Sequence, residues 1–267
     1  KFIADIWHFK TSVGHSVRTQ KECINTMNSD LTVYTNLLES RWICGNIEQY
    51  KILKKNIFDN DEWSNQDFLF AKKKEQEKRY RKYSNTGYLL EPDIKEGPGG
   101  FRDLQTLIWI SKKYFKTNSL ADLYNINIIS KKEYLLLLRS KRFLSKTRFF
   151  LHLLNNKPEE RLFFSNQKKL AEFFGYFCDT NKGVEKFMQE FYKHISLVKQ
   201  LNEILIKHIE DIDGKEHIEK DFLKTDADFI IKNNNIYARN KDVFIKNPTK
   251  IFEIFTLKDD EGAPYDI

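Results

Sequence analysis

The segment that most constrains the fold is GYLLEPDIKEGPGGFRDLQTLIWISKKYF, residues 87–115. Residues 87–102 contain four of the ten glycines and two of the five prolines, which predicts a loop with demanding backbone geometry. A helix is expected to begin at Asp103, because the apolar residues that follow have helical spacing. The residues on its apolar side are Leu104, Leu107, Ile108 and Ile110.

This loop has the features of an anion site. Glycines let backbone N–H groups approach a ligand, and a helix N-terminus carries partial positive charge. Lys95 and Arg102 add full charges. The pattern is neither a Walker A loop nor a GxGxxG motif. Two interpretations therefore fit equally well: phosphate binding, or a structural turn in which Arg102 pairs with Glu91 or Asp93.

The segments after the loop are mostly helical. Ser130 and Glu133 form an S-x-x-E capping box that opens a long helix to about Leu154. Further helices are predicted over 166–174, ending at Gly175, and over 183–209. Long helices with short connections predict an antiparallel bundle.

The character of the sequence changes after Gly214. Residues 228–246 alternate and turn at 233–235, which predicts a β-hairpin. Pro248 then starts a short helix.

The segments before the loop suggest an α/β arrangement. Helices are predicted over 2–12 and 20–28, and strands over 13–19 and 31–43. A helix over 47–58 precedes a strongly charged helix over 66–83. We interpret the charges of this last helix as a solvated surface with i,i+4 pairs.

Composition excludes several classes of protein. Of the 267 residues 40% are hydrophobic, so the chain can bury a core and is not disordered throughout. No apolar run approaches the length of a membrane helix. Three scattered cysteines argue against a disulfide framework or structural zinc and favour reduced thiols in a cytoplasmic protein. A chain that begins at Lys1 is expected to be a piece of something longer.

Charge alone says little about partners. The net charge of +7 favours phosphate-bearing partners only weakly, because 38 acids interleave with 45 bases. A nucleic-acid role is the minority interpretation, since aromatic residues are not clustered in a basic stripe.

Two further groups of residues could carry chemistry. The predicted strand disfavours a Ser-His dyad of His15 and Ser16, because adjacent strand residues point to opposite faces. Ser16 and Arg18 would share a face and could contact a phosphate or pair with an acid.

The second group lies on the predicted strand over 31–43. Glu39 would share a face with Arg41, and it is of interest only if other carboxylates lie opposite, as metal-dependent phosphoryl transfer requires. The six histidines form no HExxH motif.

Several motifs together resemble one family. VGHSVRTQKEC (13–23), DLTVYTNLLESR (30–41) and EPDIKEGPGGFRDLQT (91–106) are similar to segments of the PII uridylyltransferase/uridylyl-removing enzymes, the GlnD family. The resemblance extends to about Leu257. That family has a polymerase-β-like nucleotidyltransferase domain, a helical domain, an HD phosphohydrolase domain and two ACT domains that sense glutamine.

The resemblance implies an α+β, predominantly helical fold. Residues 1–58 would be the C-terminal part of the nucleotidyltransferase domain and 59–214 the helical domain. Residues 215–267 would form the β-hairpin and a short helix leading to the HD domain. The tail 258–267 departs from the family pattern.

The resemblance also implies a reaction. A tyrosine hydroxyl of the PII signal protein would attack the α-phosphate of UTP, with Mg²⁺ as cofactor, and release pyrophosphate. No nucleic acid or membrane would take part. The family's Gly-Gly…Asp-x-Asp signature would precede Lys1, so the chain alone is expected to be inactive. The alternative is a non-catalytic helical module that recognises nucleotide or PII.

Site residues follow from the resemblance. Glu39 is the first candidate for a catalytic, metal-binding carboxylate and Asp30 the second, although Glu39 could instead pair with Arg41 or Arg18. The residues expected near the nucleotide are His15, Ser16, Arg18, Lys95, Gly99, Gly100, Arg102 and Asp103.

Overall fold

The computed structural model of the chain is predominantly helical, as predicted. Among the residues it describes, no helix has the length and apolar character needed to cross a membrane. The chain divides into two compact units, Lys1–Ile209 and Glu210–Ile267. The described residues are Asp5, His8, 14–60, 62–117, 119–176, 182–217, 224–225, 228–232, 235–240 and 242–252.

Short helices occupy most of residues 14–60. Each begins at a polar side chain that accepts a backbone N–H group, namely Thr19, Asp30 or Asn46. The helices predicted over 20–28 and 47–58 are confirmed. Apart from Asp5 and His8, the helix predicted over 2–12 lies outside the described residues. The bounds are α1 Gln20–Ser29, α2 Leu31–Glu39 and α3 Ile47–Phe58.

Both strands predicted before residue 44 are wrong. Residues 14–19 have no regular structure, and α2 occupies most of the second predicted strand. The Asp30 carboxylate accepts the N–H groups of Thr32 (2.7 Å) and Val33 (3.2 Å), which have no partner within the first turn of a helix. The helix also buries Tyr34 and Leu38 on one side. Capping and burial together outweigh β propensity, so the α/β character predicted here is also wrong.

The next two helices flank the glycine-rich loop. They are α4 Asn65–Arg81 and α5 Phe101–Phe115, and α5 begins before the predicted start at Asp103. The solvated surface predicted for α4 is wrong on one side, because Lys72, Gln76 and Arg79 are buried.

Lysine side chains join α5 to the short helices. Lys112 Nζ donates to Leu38 O (3.3 Å) near the end of α2, and Lys54 Nζ of α3 donates to the same oxygen (2.9 Å). Lys116 donates to Phe58 O at the end of α3. Cations at helix C-termini are favourable because the last carbonyls lack helical partners. Burial, with a smaller effect from Lys112, lowers the pKa of Lys54 to about 8.

A helical bundle follows. The Ser130–Glu133 capping box is present, and the helix predicted to end at Gly175 ends at Phe173. Gly175 has a φ of +83°. The last long helix continues to His217, beyond the predicted end at Ile209. The helices are α6 Leu120–Asn125, α7 Lys131–Asn155, α8 Phe164–Phe173 and α9 Lys182–His217.

The larger core of the first unit lies between these helices. Leu137, Leu144 and Leu151 recur every seven residues on α7 and are fully buried. Phe187 and Phe191 of α9 belong to the same buried cluster. The seven-residue spacing is that of helices packed side by side in a bundle.

One polar pair lies inside this core. Ser140 Oγ of α7 and His194 Nδ1 of α9 are 2.9 Å apart, and both residues are buried. The Phe143 ring stacks on the imidazole at 4.4 Å between centroids, and Glu190 Oε1 lies 3.3 Å from Nε2. Burial is the largest influence on His194 and lowers its pKa.

The second unit contains a small antiparallel sheet in the order β1-β2-β3. Phe229 pairs with Ala238 and Lys232 with Asn235, and the intervening Asn233 and Asn234 lie outside the described residues. Residues 250–252 are helical after Pro248. The elements are β1 Lys224–Thr225, β2 Phe229–Lys232, β3 Asn235–Ala238 and α10 Val243–Lys246.

Candidate functional site at the glycine-rich loop

The loop before α5 begins with a turn built on Asp93. The Asp93 carboxylate accepts the N–H groups of Lys95 (2.9 Å) and Glu96 (2.6 Å). The backbone oxygen of Asp93 accepts the N–H of Gly97 at 3.2 Å. An aspartate that accepts bonds from the following backbone in this way stabilises a tight turn.

The N-terminus of α5 is bonded in the same internal manner. Asp103 Oδ2 accepts the N–H of Gly99 at 2.6 Å. The N–H of Gly100 donates to Gly97 O (2.9 Å) and that of Arg102 to Lys95 O (2.9 Å). The N–H groups of Phe101 and Asp103 also donate to loop carbonyls. The N–H groups that were expected to bind a phosphate therefore donate to carboxylates and carbonyls of the chain itself.

Glycine is required at the centre of this loop for two reasons. Gly99 has φ +80°, which side chains with a Cβ rarely adopt. A Cβ there would lie 2.0 Å from the backbone oxygen of Ile195 on α9. At Gly100 a Cβ would lie 2.6 Å from Ile94 O. These glycines allow close approach of the backbone, so the structural-turn interpretation accounts for them.

A buried ion pair lies beneath the loop. Asp103 is completely buried, and its Oδ1 accepts from Arg79 Nη2 of α4 at 2.5 Å. Tyr80 OH donates to Asp103 Oδ2 at 2.5 Å, while Arg79 Nη1 donates to Glu96 O at 2.8 Å. Burial, followed by the nearby Asp103 charge, raises the pKa of Tyr80 above its ordinary value. Tyr80 therefore remains a hydrogen-bond donor to this carboxylate.

The network extends to a third helix. Gln76 Nε2 of α4 donates to Asn202 Oδ1 of α9 at 2.8 Å, and Asn202 Nδ2 donates to Asp103 O at 3.0 Å. The polar groups thus join α4, α5 and α9 around one buried carboxylate. Sequence reasoning missed Gln76, Arg79, Tyr80 and Asn202. The helical spacing could have indicated part of this network. Lys72, Gln76 and Arg79 follow the apolar Phe68 at steps of three or four, which places them on the same side of α4.

Charged side chains also surround the Trp109 ring. Lys72 Nζ lies 4.1 Å from the ring centroid and the Arg102 guanidinium carbon 5.6 Å. Lys72 also pairs with Glu75 at 2.6 Å, and burial lowers its pKa. An indole face stabilises a cation that has lost much of its water.

Arg102 does not make either of the predicted ion pairs. Its Nη2 lies 2.9 Å from Glu96 Oε1, whereas Glu91 pairs with Arg161 at 3.2 Å. Lys95 Nζ lies 4.0 Å from the same Glu96 oxygen. Lys95 and Arg102 retain 35% and 25% side-chain exposure, respectively. Of the predicted residues in this loop, these two side chains present charge at the surface.

The residues before α1 do not form the expected strand surface. His15, Ser16 and Arg18 are exposed in the irregular segment 14–19, so the argument that Ser16 and Arg18 share a strand face is wrong. Thr19 caps α1 and, through its hydrogen bonds, lowers the pKa of Glu22, with a smaller contribution from the Arg18 charge.

The two candidate carboxylates lie at opposite ends of α2. Asp30 caps the first turn, and Glu39 is the last, exposed residue. Nine residue steps of about 1.5 Å place them about 13 Å apart along the helix axis, too far to bind one ion together. The premise that Glu39 lies on a strand and shares a face with Arg41 is wrong. In the described part of the chain, no three His, Cys, Asp or Glu side chains are grouped closely enough to hold a metal.

Comparison with protein families agrees with the motifs of the loop. The model of the GlnD PII-uridylyltransferase family matches residues 67–206, just over half of the chain. The chain belongs to this family. The family match runs from α4 to α9 and includes the glycine-rich loop and its buried network, which confirms the resemblance inferred from the sequence.

Three curated relatives share one name. Each is called a bifunctional uridylyltransferase/uridylyl-removing enzyme. The protein of Hydrogenovibrio crunogenus is 40% identical over 264 residues, which cover 96% of this chain and 29% of that protein. In Aliivibrio fischeri (strain MJ11) the identity is 39%, with 94% and 29% covered. In Pasteurella multocida it is 37%, with 96% and 30% covered. The chain thus spans about three tenths of these relatives.

Proposed function

We propose that the chain is part of a nucleotidyltransferase that transfers UMP from UTP to a tyrosine of the PII signal protein and releases pyrophosphate. The supporting observation is the family match over residues 67–206, together with the names of the relatives. The phenolic oxygen would form a bond to the α-phosphorus as the bond to the pyrophosphate oxygen breaks.

Two side chains of the loop are suited to the nucleotide. We assign phosphate contact to Lys95 and Arg102, which flank Glu96 at the surface of the loop. A lysine supplies a mobile point charge and an arginine a planar pair of donors, and both match phosphate oxygens. Gly99, Gly100 and Asp103 would act by fixing the loop through internal bonds.

The described residues do not by themselves fit a Mg²⁺ site. Asp30 is engaged as a helix cap, and Glu39 offers one exposed carboxylate. Mg²⁺ sites in nucleotidyl transfer combine carboxylates with substrate phosphates. We propose that the Asp-x-Asp carboxylates of the family signature are needed for transfer and that this chain alone is inactive.

The test is transfer of α-labelled UMP from UTP to purified PII in the presence of Mg²⁺. This chain is compared with the chain extended upstream through the Asp-x-Asp strand. Label is expected on PII with the extended chain alone. Label transferred by the unextended chain would contradict the predicted inactivity, and no label from either chain would contradict the enzyme assignment.

Substitutions in the extended chain test the individual roles. Arg102→Gln is expected to lower kcat/KM about tenfold or more, because it removes a charge from the phosphates. Arg161→Gln is the matched control, since Arg161 is also paired with a glutamate and exposed. Glu39→Ala and Asp30→Ala show which of the two carboxylates is needed. Equal effects of the two arginine substitutions would refute the role assigned to Arg102.

The second candidate is a non-catalytic module that recognises nucleotide or PII. It is favoured by the internal bonding of the loop amides, which gives the loop a structural task. Binding of PII to this chain in calorimetry, with no transfer by the extended chain, would select this candidate.

A further inference from the structure

Helix α7 exposes one continuous side. Seven of its residues succeed one another at steps of three or four, so they lie in a row along the helix. All are exposed, and the helix buries Leu137, Leu144 and Leu151 on its other side. The row spans about 33 Å at 1.5 Å per residue. We call it the α7 exposed face, and it consists of Lys131, Leu135, Arg139, Arg142, Lys146, Phe149 and Leu153.

The charge of this face has a single sign. Helix α7 contains seven lysines and arginines and one acid, Glu133. Glu133 lies off the face and is bonded to the N–H of Ser130, while Arg148 is paired with Glu160. Among the residues the structure describes, no carboxylate lies within ion-pair distance of Arg139 or Arg142.

Apolar side chains lie before and after the cationic residues along the row. Leu135 is 51% exposed, and Phe149 and Leu153 are 62% and 59% exposed. Phe149 contacts the Phe150 ring, which in turn contacts the exposed Phe173 of α8. The surface thus has a cationic centre between an apolar residue and an aromatic patch. Lys146 Nζ also lies 4.3 Å from the centroid of the Phe174 ring. Large exposed apolar residues next to cations that have no carboxylate partner are typical of protein-binding surfaces.

We propose that the α7 exposed face docks an acidic segment of a partner protein. The cations Arg139, Arg142 and Lys146 would meet its carboxylates, and apolar side chains at its two ends would cover Leu135 and the patch of Phe149 and Leu153. Charge complementarity requires an acidic partner, and the straight row of about 33 Å favours a helical segment of about 20 residues.

The apolar residues favour a protein over other anions. Arg139, Arg142 and Lys146 lie between Leu135 and Phe149 in the same row, so the row has no continuous apolar side that a lipid surface could bury. A nucleic-acid backbone would pair with the cations and leave Leu135 and Leu153 in water. This inference does not depend on the proposed transferase activity.

The probe is a fluorescein-labelled synthetic helix of about 20 residues. It has glutamates at i, i+3 and i+7 at its centre and leucines at both ends of the same side. Its binding to the 267-residue chain is measured by anisotropy at about 0.15 M salt, where exposed charges are screened over about 8 Å. Parallel arms use the same peptide with glutamines, a single-stranded RNA of similar length, and vesicles containing phosphatidylserine.

The decisive variants reverse three charges on one helix. Arg139→Glu/Arg142→Glu/Lys146→Glu is expected to weaken binding of the acidic helix at least about tenfold. Lys74→Glu/Lys78→Glu/Arg81→Glu makes the same change in charge along α4, where all three residues are exposed, and should change the affinity less than about twofold. Leu135→Ser/Leu153→Ser should weaken binding without altering its dependence on salt.

Four results would overturn the proposal. They are no binding of the acidic helix, equal weakening by the two triple reversals, an affinity unchanged when glutamines replace the glutamates, and tighter binding of RNA or vesicles. Circular dichroism of each variant shows whether it is folded. If the α7 reversal unfolds the chain, single reversals at Arg139 and Arg142 serve instead.

Discussion

Loss of the buried carboxylate beneath the loop should destabilise the chain more than any surface change. In Asp103→Ala, Arg79 Nη2, Tyr80 OH and the N–H of Gly99 lose their acceptor. Arg79 is 8% exposed, so its charge would remain buried, with the Glu96 carbonyl and the Glu96 carboxylate, 4.0 Å from Nε, as its remaining partners. Breaking one side of a buried ion pair costs about 3–5 kcal/mol. At about 2–4 °C per kcal/mol for a chain of this size, Tm should fall by about 6–20 °C.

Urea denaturation followed by tryptophan fluorescence measures this loss, because Trp109 is buried beside the network. Glu48→Ala is the control: it removes an exposed i,i+3 pair with Lys51 and should cost less than about 0.5 kcal/mol. The double variant Arg79→Met/Asp103→Leu should lose less stability than Asp103→Ala, because neither charge of the pair remains. A loss below about 1 kcal/mol for Asp103→Ala, or a double variant as unstable as the sum of its singles, would refute the reasoning.

Three further predictions concern single positions. Gly99→Ala should destabilise the chain well beyond Gly175→Ala in urea denaturation: both have positive φ, which costs about 1–2 kcal/mol, but only Gly99 faces another backbone. Equal losses would contradict the role of close approach. Burial lowers the pKa of His194, so below its ordinary value of 6.5 the unfolded chain binds the proton more readily and stability falls. The Tm of His194→Gln should therefore vary less with pH than that of the unchanged chain between about pH 7.5 and 5; identical profiles would exclude His194 as the cause. Ser130→Ala removes the cap of α7 and should cost about 1 kcal/mol, with Ser145→Ala on the exposed side of α7 as the neutral control.

Much of the helical fold could be predicted from local signals. The capping box at Ser130, the glycine at 175 and the apolar spacing after Phe101 each mark a helix end or a buried side, and these helices form as expected. The error over residues 31–43 has a physical cause. A run of β-branched and aromatic residues predicts a strand, but the capping carboxylate of Asp30 and the burial of Tyr34 and Leu38 favour a helix.

The candidate site was harder to predict because its contacts are between distant segments. The importance of Gly99, Arg102 and Asp103 was visible in the sequence, but their partners were not. Arg79 lies 24 residues from Asp103 and Asn202 lies 99 residues away, and no local spacing reports such contacts. The choice between a phosphate and a carboxylate as the anion at this helix end was likewise open, since both satisfy the same amides.

The closed hydrogen bonding of residues 93–103 also bears on how family signatures arise. A run of glycines with a lysine and an arginine before a helix is commonly taken to mark chemistry. Here its amides bond within the chain, and a Cβ at Gly97, Gly99 or Gly100 would lie within 2.6 Å of a backbone oxygen. Such a run can identify relatives because the packing of the loop requires it, whether or not the loop binds a ligand. A search that recognises it detects a shared architecture before it detects a shared active site.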